Sequence, residues 1–102
     1  MRIWLFTFRD YDTSWTYPHL TVNGAILRGV KKMYGWIEDL GVEDELQDEG
    51  QVEKGYLEDL KALIDKEYPD SKAVLECYEN LKEIGWENEW FWVELEDKTL
   101  HP

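Results

Sequence analysis

The 102-residue chain carries 23 acidic against 11 basic side chains, a formal charge of −12, with 43% hydrophobic and 15% aromatic residues. That length suits one domain with one core, the apolar share excludes a disordered chain, and the charge argues against direct binding to nucleic-acid phosphates or anionic membranes. No run approaches the roughly 18 apolar residues of a membrane span, and Arg9 and Asp10 interrupt the N-terminal apolar stretch before a signal-peptide core forms, so the expected location is cytoplasmic.

Arg2 to Arg9 is rich in β-branched and aromatic residues and reads as a strand with apolar groups on both faces. Asp10-Tyr11-Asp12-Thr13-Ser14 supplies turn chemistry. Trp15 to Val22 then returns as a second strand, confined to an edge by Pro18. Asn23-Gly24 reads either as a hairpin turn or as a helix entry capped by Asn23. Ile26, Val30, Met33, Ile37 and Leu40 recur at helical spacing with Gly41 as the C-terminal cap, the alternative being a short strand and a later helix start. Gly29 and Gly35 inside that helix each cost about 1 kcal/mol relative to alanine, which implies close packing against another backbone.

Val42 to Gly55 is polar and acidic, a connection or a short frayed helix. Tyr56, Leu57, Leu60, Leu63, Ile64 and Tyr68 give the next helix its apolar stripe; Pro69-Asp70-Ser71 stops it and caps its successor. Ala73, Val74, Cys77, Tyr78, Leu81 and Ile84 form that second stripe, with Gly85 at its end. Glu89 to Asp97 alternates Trp90, Trp92, Glu94 and Glu96 with Phe91, Val93 and Leu95, the period of a strand. The expected fold is α+β: a small antiparallel sheet pairing the N- and C-terminal strands, with a possible third edge strand, packed against about three helices.

Asp10-Tyr11-Asp12-Thr13, directly after an apolar strand, resembles the Asp-x-Asp-x-Thr motif of haloacid-dehalogenase-type phosphotransferases. The resemblance covers four residues and implies a nucleophilic first carboxylate and an acid/base second. That family also needs a doubly wound parallel sheet, a later lysine and a distal acid pair for magnesium, which so short and strand-poor a chain does not supply. Turn chemistry accounts for the same residues, so no catalytic residue is assigned and the chain reads as a non-enzyme. His19, His101 and Cys77 cannot complete a four-ligand zinc site. The stretch from Asp44 fails the calcium-loop pattern, with Leu46 third and Glu49 in place of the sixth-position glycine. No cofactor or metal is expected, and the lone Cys77 reads as core packing in a reducing compartment.

The strongest signal is regional charge. Up to Tyr34 the chain sums to +3, and from Gly35 onward to −15. Glu38 to Asp59 holds Glu38, Asp39, Glu43, Asp44, Glu45, Asp48, Glu49, Glu53, Glu58 and Asp59 against Lys54 alone, a local charge of −9. The plain reading is a solubilising face; the sharper one is a row of carboxylates presenting a duplex-like field to a nucleic-acid-binding protein. Trp36, Trp86 and Trp90 lie near these acids, as interface anchors or as core. Arg2, Arg9, Trp15, Arg28, Lys31 and Lys32 form a basic, aromatic N-terminal set that either stacks and pairs an anionic ligand or neutralises the acidic half, within the chain or across a homodimer.

These features point to an acidic binding or inhibitor protein for a basic, nucleic-acid-binding protein surface. In general character the chain resembles the small acidic proteins that phages use against restriction or CRISPR systems. An immunity protein or antitoxin neutralising a nuclease toxin has the same composition, and a nucleotide-sequestering protein using the N-terminal set is the third reading.

Overall fold

Trp4, Phe6 and Phe8 alternate along β1 (Arg2–Arg9) and turn one apolar face of the strand toward the helices. The structure, a computed structural model, describes residues 1–99. β2 (Ser14–His19) and β3 (Trp92–Thr99) flank β1, both antiparallel to it, in the order β2-β1-β3. Phe8 stands opposite Trp15 on one side and Val93 on the other; Phe6 stands opposite Tyr17 and Leu95. The residues on that face therefore come from all three strands, and helices pack on it. The expected α+β fold and the pairing of the first and last strands are as observed.

Thr21, not Asn23, caps α1 (Val22–Leu40): its side chain accepts from the Gly24 amide at 3.0 Å, so no hairpin turn forms at Asn23-Gly24. The second strand stops at His19 because the chain must turn before this cap. Gly41 ends α1 with φ 66°, as its position implies. The acidic connection is ordered around a short helix, α2 (Glu43–Asp48), whose Leu46 is fully buried.

α3 (Tyr56–Ile64) ends earlier than its spacing implies, and Tyr68 is 87% exposed. Asp65-Lys66-Glu67 offer no apolar group to continue the stripe, and Pro69 biases Tyr68 away from helical backbone. Asp70 then caps α4 (Ser71–Glu87), accepting from the Ala73 amide at 2.9 Å. Cys77 is half-buried against the core, where burial pushes its thiol pKa up.

α4 does not stop at Gly85. It runs to Glu87 and closes with the Trp90 amide on the Gly85 carbonyl at 2.9 Å and the Glu89 amide on the Trp86 carbonyl at 3.2 Å, with Glu89 at φ 57°. This is a Schellman closure with glutamate in the left-handed position. It takes up Asn88 to Phe91, so β3 begins at Trp92 rather than Glu89.

The two interior glycines of α1 differ. A Cβ on Gly29 would lie 2.6 Å from the Tyr78 ring and 2.9 Å from Phe6, whereas a Cβ on Gly35 would meet nothing within 4 Å. Gly29 is closely packed, against aromatic side chains instead of the expected second backbone, and Gly35 has no structural reason. Gly85 is tighter still, with Phe91 ring carbons 2.2 to 2.6 Å from such a Cβ. Gly85→Ala is expected to lower stability by about 2–3 kcal/mol through overpacking, while Gly35→Ala raises it by about 0.5–1 kcal/mol through helix propensity. Urea unfolding of the two variants checks both signs.

Candidate functional site

The acidic segment is held to the core by apolar anchors. Leu46, Val52, Leu57 and Leu60 are buried, and the Gln51 amide donates to the Leu46 carbonyl at 2.9 Å, closing the loop behind α2. The Asn88 side-chain amide donates to Gln51 Oε1 at 2.7 Å and to the Ile84 carbonyl at 2.8 Å, which ties this loop to the end of α4. On that scaffold Asp39, Asp44, Glu45, Asp48, Glu49 and Glu53 are exposed and Glu43 is half-buried. Glu38 is exposed and accepts from the Tyr34 hydroxyl at 3.1 Å. None of these carboxylates has an ion-pair partner among the described residues, where the salt bridge is Arg2 with Asp97.

The local field registers on Tyr34. Burial, the bond to Glu38 and the charges of Glu38, Glu43 and Asp65 push its hydroxyl up to about 12. No basic residue occupies the last turn of α1, where Glu38 and Asp39 add to the negative end of the helix dipole.

The three candidate tryptophans separate. Trp36 and Trp90 are half-buried, with ring centroids 5.4 Å apart, and Trp36 also meets Phe91 edge-on at 5.3 Å. Trp86 alone is an open anchor, 65% exposed.

The basic set is divided among three places. Arg2 forms the bidentate pair with Asp97, its Nε donating at 2.7 Å, and lies 5.1 Å from the Trp4 ring centre. Arg9 lies over Trp92 at 5.8 Å. Arg28 covers Tyr17 at 4.9 Å and Lys32 covers Trp15 at 4.0 Å, so these cations share the seam between α1 and β2. Lys31 is exposed. His19, beside Arg28, has its pKa lowered by burial and by that charge.

At the β1–β2 turn, Asp10 Oδ1 accepts from the Asp12 amide at 2.9 Å, the Thr13 amide at 2.8 Å and the Thr13 hydroxyl at 3.1 Å. Burial raises the Asp10 pKa, but these bonds and the Trp36 indole outweigh it, holding the carboxyl below its ordinary value. The geometry is an Asx-type turn. Thr13 also follows Asp12 directly, one position early for the phosphotransferase motif, and the antiparallel sheet is not that family's.

A feature not legible as a site in the sequence is a groove of about 620 Å³ beside β3. One wall is the outer face of α4, with Glu79, Lys82, Glu83 and Trp86; the other runs from Phe91 to Glu94. Thr7, Arg9 and Ser14, on the same face of the sheet as Trp92 and Glu94, also line it. The available signal was Trp86, a large ring on the polar side of a helix whose core side is Val74, Tyr78, Leu81 and Gly85. Asn80 and Glu83 also border a second cleft lined by Gln51, Glu53 and Glu87, so the groove wall is continuous with the acidic segment.

Among the described residues no three His, Cys, Asp or Glu side chains converge as a metal site, and no helix is long and apolar enough to cross a membrane. His101 lies outside the described residues. Comparison with protein-family models, curated proteins and solved structures finds no match to the chain.

Asp10→Ala is expected to cost about 0.5–1 kcal/mol near neutral pH by removing the acceptor of three exposed turn donors. Because the folded-state pKa is depressed, that difference shrinks as pH falls through it and the wild-type carboxyl protonates. Thermal melts across the acid range measure the convergence. Tyr34, Tyr56 and Tyr78 are each raised to about 12. The unfolded chain releases these protons near 10, so stability is full below that pH and falls as pH rises from about 10 toward 12. Alkaline titration should show tyrosinate absorbance appearing together with loss of helix.

Proposed function

We propose that this chain is a non-catalytic binding protein that docks its acidic face on a basic, nucleic-acid-binding protein and competes there with nucleic acid. The observation that carries the reading is the set of carboxylates from Glu38 to Glu53, without ion-pair partners among the described residues and mounted on buried Leu46 and Val52. A flexible acidic tail must lose chain entropy on binding; a face already anchored to a core loses far less. Its field steers a cationic partner into encounter and raises the association rate. The N-terminal cations lie at three separate places, most against aromatic rings, which offers a nucleotide no common pocket. The half-buried, unpaired Cys77 fits a reducing, cytoplasmic setting.

The test uses Asp39, Asp48, Glu49 and Glu53, all changed to lysine. These positions lie outside the first turn of α2, where acids favour the helix dipole, and Asp39 and Asp48 sit in last turns, where lysine favours it. Folding should be unchanged to within about 1 kcal/mol. Immobilised wild type should retain basic nucleic-acid-binding proteins from its host, release them to duplex DNA, and associate with them more slowly as salt rises. The lysine variant should lose this retention. Equal retention and equal salt-independent association rates would reduce the face to a solubilising one.

A further inference from the structure

We infer that the groove between α4 and the free edge of β3 receives an extended, basic segment of the partner by strand addition. This deepens the docking reading above and rests on it for the charge of the partner. Side chains of a strand alternate between faces, so a wall lying on one face of β3 would be lined by every second residue. Here Trp92, Val93 and Glu94 of β3 line the groove in succession, directly after Phe91. Thr7, Arg9 and Ser14 share the face of Trp92 and Glu94, so the groove runs from that outer face of the sheet over the edge of β3. β1 is the neighbour on its other side, and no strand of the described residues lies along this edge. Such an edge presents main-chain donors and acceptors that another strand can pair with. The facing wall, Glu79, Lys82, Glu83 and Trp86, has the spacing of one helical face. Trp92 to Glu94, three residues of strand, span about 10 Å, room for a matching stretch of peptide.

The charge of the walls selects the occupant. Glu79, Glu83 and Glu94 outnumber Lys82 and Arg9, and Arg9 already lies over the Trp92 ring. Exposed Trp86 offers a face for the alkyl stem and charge of a lysine or arginine. A second copy of this chain is a poor occupant. Antiparallel pairing of β3 with a second copy about Leu95 would set Glu94 of each chain opposite Glu96 of the other, and like charges set opposite each other destabilise a ladder. The shared wall at Asn80 and Glu83 lets one basic partner lie on the acidic face and reach into the groove.

The probe is a synthetic eight-residue peptide alternating lysine with threonine and valine, alongside the same peptide N-methylated at alternate residues. Binding should slow amide hydrogen exchange at residues 92–98 by roughly tenfold or more. Trp86→Ala and N-methylation should each weaken affinity about tenfold, and Trp86→Ala should leave the melt unchanged because the ring is exposed. The peptide binding with β3 exchange unaltered, equal affinity for the N-methylated peptide, or β3 protection arising from a dimer of this chain would each overturn the inference. The Asp39, Asp48, Glu49 and Glu53 lysine variant separates the two proposals. If it abolishes binding that never protected β3, the groove fails and the acidic face stands. If it keeps both β3 protection and host partners, the acidic face fails and the groove stands.

Discussion

Phe91 lies against the bare backbone of Gly85, in a space that no Cβ could share. The same ring meets Phe8 of β1 at 5.3 Å and Trp36 of α1 at 5.3 Å. One side chain thus joins both long helices to the central strand. Tyr78 against Gly29 and Phe6 repeats the device about two turns earlier along α4. Aromatic rings carry much of the buried area here, and they pack this closely only where a helix lacks a side chain. With Phe91 fixed, the left-handed Glu89 must turn the chain sharply out of α4, and β3 leaves beside the helix it has just quitted. The groove is the gap that this turn leaves open.

How much of this the sequence disclosed depends on the range of the interaction involved. The strands, α1 and α4 follow periodic apolar patterns, and those patterns are local. Gly41 and Asp70 are local signals too, and both cap as their positions imply. Gly85 reads as a stop because glycine usually follows a helix, yet its role is set by Phe91, six residues on and folded back over it. Gly29 and Gly35 look alike in sequence and differ only by what lies above them. Trp36 and Trp90 share a position beside acidic residues with Trp86, but the first two cover each other while the third is left largely exposed. The groove was hidden for the same reason, since it joins a helix face to a strand edge and only the Schellman closure sets their separation.

Among the described residues the uneven charge of the chain resolves into one salt bridge, Arg2 with Asp97. Its N-terminal cations are spread over Trp4, Trp92, Tyr17 and Trp15. A ring quadrupole attracts a cation without cancelling its charge, so the positive seam beside the first part of α1 coexists with the acidic face at its C-terminal end. The Glu38 bond to Tyr34 and the carboxylates of α2 sit where the α1 dipole is itself negative. Mutual repulsion there is tolerated because Leu46 and Val52 hold the segment down from beneath.

Pro18 gives the two edges of the sheet different fates. On the outer side of β2 the proline removes a main-chain donor, and cation-covered rings crowd its inner face. Growth of a sheet into a filament needs two edges per molecule, one to give and one to receive. With β2 blunted, a strand joining β3 as proposed would be the last one added, and the protein would terminate a sheet instead of propagating it. Its valency through this route would be one.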